Sequence, residues 1–353
     1  MPRSSRLTGI DLAYVISTIM CLVIGFFFVS GNRIHFLGHL HYFPAVDIFP
    51  AWFFFLNGMT LTLTMRDSKV SQRKLISFNT KRGTVLALVG LLFCFIWPLN
   101  VVLIAGFFYM LAAYIARYSN AIIRLLSAFC FVLAVVFLSF MEVRASVVFA
   151  GFSLEGSGLK DLVSFLFFNG YYSVFPWIIF FLAGIIHGRG QVQVRGMLAP
   201  TNLLYVLWIL LSLLVQSFCQ GVFQDSEELF VGNYFPLNHK LFMPAFVVFG
   251  IGCCGLLSNA CIYYLRKIEK GKFIQWIEET ASLKWSMLTF QMMLGAISVS
   301  AFNPVFKTKW GIAGFIVINV LLIVWFVRFW KRKINALGPT EWLMKRISSN
   351  NRK

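Results

Sequence analysis

Three of the chain's five histidines, His35, His39 and His41, fall within seven residues, and Asp47 follows closely. In an extended stretch, side chains at i and i+2 share a face, so His39 and His41 can line one pocket. An imidazole of near-neutral pKa is a natural general base for a hydroxyl or an amine, and a neighbouring carboxylate can fix its tautomer. The same ring can act as a nucleophile that carries an acyl group. Two further readings stand beside these: ordinary loop histidines, and a metal site with Asp47 as the next ligand. Nothing else in the pattern supports the metal, and none is expected.

Other polar residues interrupt apolar runs. An acid at a membrane boundary must find water or a donor, which singles out Asp47 and Asp11. Asn57-Gly58 lies inside an apolar run, where the glycine permits close helix contact and the asparagine offers polar bonds, for packing or for a substrate path. Asn169 opens a stretch that ends in Pro176-Trp177. Proline suits a first helical turn and tryptophan suits an interface, although the same groups could line a cavity. Asn238, His239 and Lys240 precede another apolar run and could hold a phosphate or anchor a helix among headgroups. Lys69, Arg73, Lys74, Lys81 and Arg82 form a basic stretch that can attract a polyanion, or that serves topology alone.

The elements that must position these residues follow from composition. The 353 residues are 59% hydrophobic and 12% charged, with a mean hydropathy of +0.78. Soluble domains lie nearer half apolar and a quarter charged, so the expectation is an integral membrane protein. Runs of about 20 apolar residues can cross the bilayer, and without barrel-like alternation they must do so as helices. Ten spans are predicted, roughly 10–30, 48–65, 83–97, 99–116, 125–141, 173–187, 201–219, 243–264, 286–303 and 312–330. All but six of the 31 Lys and Arg then fall on one side, the exceptions being Arg33, Arg144, Lys160, Lys240, Lys307 and Lys309. The positive-inside bias makes that side cytoplasmic. The predicted class is thus all-α and polytopic, a single transmembrane domain over 1–353 with about ten transmembrane helices and both termini cytoplasmic.

The same flanking bias accounts for the net charge of +18, so nucleic acid is not an expected partner. Arg3 and Arg6 lead into a run from Ile10 to Val29 that is too long for an ordinary signal h-region and should persist as the first helix. The seven cysteines are scattered through apolar segments and imply no disulfide framework. Segment 265–285 could form an amphipathic surface helix, with Lys272, Trp276 and Glu279 alternating with Ile268, Phe273 and Ile277. No internal repeat is evident.

An ordered set of landmarks resembles the transmembrane acyltransferases related to heparan-alpha-glucosaminide N-acetyltransferase and the bacterial YeiB-like proteins. Arg6 through Asp11 is similar to the family's N-terminal Arg…Leu-Asp element. His39 with Asp47-Ile48-Phe49-Pro50 and Phe54-Phe55-Leu56-Asn57-Gly58 resembles its His…Asp-x-x-(Phe)-Pro…Gly block. Phe175-Pro176-Trp177 through Gly184 and Gly188 resembles a Pro-Trp…Gly…Gly element. Asn238-His239-Lys240-Leu241 through Gly250 is similar to an Asn-Lys-x-Leu-Trp…Gly element. Gly338-Pro339-Thr340-Glu341-Trp342-Leu343 resembles the Gly-Pro-x-Glu-Trp-Leu ending of the YeiB-like branch. Tyr14-Val15 stands where the family has Arg-Gly. The landmarks cover nearly the whole chain.

The resemblance implies transfer of an acyl group, acetyl by analogy, from cytoplasmic acyl-CoA to a sugar or glycan amine or hydroxyl on the periplasmic face. It implies His39 as the essential histidine, with His41 the close alternative and Asp47 orienting it. Asp11, Asn57, Asn169, Pro176, Trp177, Asn238, His239 and Lys240 would form the substrate and donor pocket, and the basic stretch from Lys69 to Arg82 would receive the CoA phosphates. Membrane lipids, a glycan or other hydroxyl or amine acceptor, and a homodimer partner are the expected associations. The chain lacks any Asn-x-Ser/Thr pattern, which favours a bacterial inner membrane over a lumen that glycosylates. Two other classes remain open: a transporter or permease for a small or lipid-linked glycan, and a non-catalytic subunit of an envelope polysaccharide system.

Overall fold

Proline, glycine and asparagine punctuate the apolar runs and set where helices begin. The computed structural model describes residues 3–29, 45–67, 71–94, 100–140, 166–167, 172–190, 200–223, 244–265, 268, 271–301, 309–333 and 337–349. Within them twelve α-helices follow in order: α1 (Arg3–Val29), α2 (Ala45–Asp67), α3 (Gln72–Cys94), α4 (Val101–Ile115), α5 (Asn120–Phe140) and α6 (Val174–Gly190). They continue as α7 (Pro200–Phe223), α8 (Pro244–Leu265), α9 (Lys272–Ala281), α10 (Lys284–Ala301), α11 (Lys309–Lys333) and α12 (Pro339–Ser349).

Local chemistry explains several of these starts. Asn100 caps α4: its Oδ1 accepts the Leu103 N–H at 3.1 Å, and its Nδ2 donates to the Gly90 carbonyl, tying the start of α4 to α3. Phe175 is extended (φ −97°, ψ 125°), as expected of a residue before proline, so regular helix in α6 begins at Pro176. Pro339 opens α12, where the Trp342 N–H closes the first turn onto the Gly338 carbonyl at 2.7 Å.

Packing centres on α2, which is buried along most of its length. It lies against α6 at a crossing where a Cβ on Gly58 would collide with the Phe181 carbonyl, and one on Gly184 with that of Phe55. Without a hydrophobic drive between helices in lipid, such close backbone approach supplies the attraction. Gly83, Gly90 and Gly106 make an equally close α3–α4 pair. Around this frame α1 packs on α2, α8, α9 and α10, α7 packs on α8, and α12 packs on α3 and α10. Trp52, Phe53, Phe54, Phe55, Phe108, Trp177, Phe180, Phe181 and Trp285 are fully buried between the helices. By contrast α7 turns Leu203, Leu207, Leu210 and Leu214 outward, and α11 does the same with Ile318, Leu321 and Trp325.

The expected ten spans are corrected. Among the described residues three helices are long and apolar enough to cross a membrane: Ile48–Met65, Arg73–Phe93 and Ala245–Leu265. Thr8–Cys21, Val101–Ile115, Asn120–Val136, Val174–Gly190 and Pro200–Val215 are shorter apolar stretches. The parity that put both termini in the cytoplasm falls with the count. The predicted third span, 83–97, is also displaced: α3 begins at Gln72, so Arg73, Lys74, Lys81 and Arg82 ride on a helix and not on a connection between spans.

The amphipathic reading of 265–285 corresponds to α9, with a different inner face. Ile274, Ile277 and Ala281 are buried, whereas Phe273 and Ile268 are exposed.

Candidate functional site

The residues expected to do chemistry are distributed unevenly. His35, His39, His41, Lys69, Asn169, Asn238, His239 and Lys240 lie outside the described residues, and Asp47 is in the first turn of α2. Pro176 and Trp177 are buried at the start of α6, where Trp177 packs against Phe54, Tyr172, Phe180 and Phe246. Arg73 and Lys74 are exposed on the first turns of α3; Lys81 and Arg82 are half-buried. Asn57 and Asp11 meet in one place, together with residues that the pattern alone did not single out.

Asn57 is the hub, with no exposed surface. Its Nδ2 donates to the Phe53 carbonyl one turn earlier at 2.8 Å, which points Oδ1 out of the helix. That oxygen accepts two phenols, Tyr14 of α1 at 3.0 Å and Tyr109 of α4 at 3.1 Å. The Tyr14 hydroxyl also meets Thr60 Oγ1 at 2.7 Å, while Thr60 bonds back to the Leu56 carbonyl. Three helices therefore share one buried polar knot, and a carbonyl oxygen between two phenols satisfies all three groups in a low-dielectric core.

Charge gathers beside the knot. Lys284, the first residue of α10, is half-buried with Nζ 3.3 Å from the centre of the Tyr14 ring. Burial pushes its pKa down to about 7, and Arg82 pushes the same way, while the negative charges of Asp11 and Glu341 oppose them. The charge of Arg82, whose guanidinium lies over the Phe78 ring on α3, also acts on Tyr14 and Tyr109. Asp11 lies one turn before Tyr14 on α1 and feels both Lys284 and Glu278; Glu278 in turn accepts the Thr8 hydroxyl at 3.0 Å.

The first turn of α10 is held from the far end of the chain. Glu341 of α12 accepts the Trp285 N–H at 2.8 Å and the Ser286 N–H at 3.1 Å through Oε1, and the Ser286 hydroxyl through Oε2. These amides are unpaired donors at a helix start, where a carboxylate is favoured. The Thr340 N–H donates to Ser286 Oγ at 3.1 Å, and Thr340 and Thr289 pair their hydroxyls at 3.1 Å. A side chain on Gly338 would strike both Ser286 Oγ and Glu341 Oε2. Burial raises the Glu341 pKa, against the pull of those donors.

Lys284 was hidden in the sequence among the basic residues of 265–285, and Glu341 appeared only within a tail motif. The signal available for both was positional: a lysine directly ahead of Trp285 and an apolar helix, and an acid in the first turn after Gly338-Pro339. Among the described residues no group of three His, Cys, Asp or Glu is placed to hold a metal ion.

The fold and the site together define an all-α protein with long apolar helices suited to a membrane and a buried knot of phenols and amide flanked by the Lys284 ammonium. No family model, no curated protein and no solved structure matches the chain.

Proposed function

We propose that the protein is a membrane-bound acyltransferase that takes an acyl group, acetyl by resemblance, from cytoplasmic acyl-CoA to an amine or hydroxyl of a sugar or glycan on the periplasmic face of a bacterial inner membrane. The observation that carries this reading is Lys284, whose Nζ lies 3.3 Å from the centre of the Tyr14 ring at the edge of the Tyr14–Asn57–Tyr109 knot, where the charge of Arg82 also acts on it. An ammonium whose charge is disfavoured by burial and by a neighbouring guanidinium is stabilised by an anion beside it. The phosphates of CoA are such an anion. Tyr14 stands where the resembling family has arginine, and Lys284 brings a cation from α10 to the face of that very ring.

In this reading the acceptor O–H or N–H attacks the thioester carbonyl. A C–O or C–N bond forms as the C–S bond breaks. His39, or His41, takes the acceptor's proton and returns it to the departing CoA sulfur, with Asp47 orienting the ring. A two-step course, with the acyl group first on the imidazole, uses the same groups.

The test is binding and hydrolysis of radiolabelled acetyl-CoA by purified protein in detergent, with His39→Ala, His41→Ala and Lys284→Met alongside. Loss of hydrolysis with binding retained is expected for one histidine variant. For Lys284→Met, binding should weaken about tenfold, the worth of one charge-assisted contact. Folded wild-type protein that binds no acetyl-CoA would remove the proposal.

A further inference from the structure

Helices α1 and α10 lie against each other and repeat one pairing at two levels. At the lower level Tyr14 meets Lys284. Seven residues on in each helix, two turns and about 10 Å further along, Cys21 and Gln291 line a common cavity. Between the levels the Thr18 hydroxyl is buried with no hydrogen-bond partner among the described residues. A seam of polar groups thus climbs from the cationic layer through an otherwise apolar interface.

The cavity has apolar walls from Val101, Val102, Leu288 and Met292, and Tyr172 lines it with them. Its empty space is about 280 Å³ counting the side that opens outward, and its enclosed part has room for one water-sized group. Gln291 is 4% exposed, and its Oε1 has no hydrogen-bond partner among the described residues. An unpaired buried carbonyl costs about 1–3 kcal/mol, and native interiors rarely leave one so. What it lacks is a donor. An anion brings none, and an ammonium would enter apolar walls without a counter-charge. A neutral hydroxyl or an uncharged amine fits both the walls and the oxygen.

We propose that this cavity is a binding site for the hydroxyl or uncharged amino group of a small polar ligand, donated to Gln291 Oε1. The use of the site rests on the transferase reading, in which this group is the acceptor nucleophile brought to the level above the donor's phosphates. The site itself does not depend on that reading.

The test is photolabelling of the full chain in detergent with a short diazirine alcohol and with the same diazirine lacking the hydroxyl, mapped by peptide mass spectrometry. The alcohol should label the peptides holding Cys21 and Gln291 about fivefold more than its hydroxyl-free twin, the worth of one neutral hydrogen bond. Unlabelled propanol should compete, and Gln291→Leu should reduce the alcohol to the level of the twin. Equal labelling by the two probes, or none, would overturn the proposal; a cavity that holds one trapped water gives the latter. The wild-type comparison needs no variant, so it stands even where Gln291→Leu fails to fold. Acetyl-CoA binding measured on the same sample separates the two readings. Hydroxyl-dependent labelling without acetyl-CoA binding supports the cavity and removes the transferase; the reverse result removes the cavity alone.

Discussion

Replacing Lys284 with methionine should make the protein more stable at pH 6 and progressively less so as pH rises. The lysine's pKa is about 7 in the folded chain against an ordinary 10.5. Between those values the unfolded chain holds a proton that the folded chain has released, so wild-type stability rises with pH across that window. Below it both states are protonated and the folded state carries the whole cost of a buried ammonium; above it neither does. At about 1.4 kcal/mol per unit the gap is worth on the order of 4–5 kcal/mol, and partial exposure cuts this to roughly half.

Methionine fills a similar volume and removes that cost, while losing a contact with the Tyr14 ring worth about 1 kcal/mol. The net gain is therefore about 1–2 kcal/mol at pH 6, a rise in Tm of about 3 °C for a chain of this size, shrinking to about 1 °C at pH 9. Thermal unfolding of detergent-purified wild type and variant at pH 6, 7, 8 and 9 reads this directly. Added pyrophosphate, as a probe of this cationic site, should stabilise wild type at pH 6 more than at pH 9, and should stabilise the variant less than wild type at pH 6. A methionine variant no more stable than wild type at pH 6, or a difference constant across the series, would refute the account of a strained cation waiting for an anion.

Other outcomes follow from the packing and caps. Gly58→Ala and Gly184→Ala should each destabilise by about 3 kcal/mol or more, because the added carbon meets a backbone carbonyl that cannot yield, whereas Gly190→Ala, with open space around it, should be near neutral in the same thermal assay. Glu341→Ala leaves the Trp285 and Ser286 amides without their acceptor and should cost about 2–4 kcal/mol. Glu341→Gln restores part of that, and by removing a negative charge near Lys284 it should move the midpoint of pH-dependent pyrophosphate binding to lower pH. Tyr14→Phe and Tyr109→Phe should each cost about 1 kcal/mol, since Asn57 Oδ1 keeps the other phenol. The double variant should cost more than their sum, measured as a coupling in a double-mutant cycle.

The helical class and the α2 contact were legible because they depend on local pattern. Asn57-Gly58 inside an apolar run implies close approach and polar bonding, and Gly58 does abut α6 while Asn57 gathers its bonds from α1 and α4. Pro176 at the start of α6 follows from its neighbour's restricted backbone in the same way. The number of membrane crossings was not legible, because counting apolar runs ignores where helices begin. Helix α3 starts in the basic stretch and carries Arg82, half-buried with its guanidinium over the Phe78 ring, a position that a loop reading hides. The knot itself was only half visible. Tyr14, Tyr109 and Thr60 look like interchangeable apolar-helix residues until three helices bring them to one oxygen, and Lys284 looks like one more flanking cation until α12 fixes the turn that bears it.

The carboxylate that caps α10 follows Trp285 by 56 residues. A ribosome therefore delivers Lys284 and the first turn of its helix well before it delivers the group that finishes them. Until α12 is made, the Trp285 and Ser286 amides lack the carboxylate that accepts them. Completion of the Lys284 turn is thereby coupled to formation of α12, so that a nascent chain stalled short of Glu341 carries its aromatic core without the carboxylate that finishes that turn.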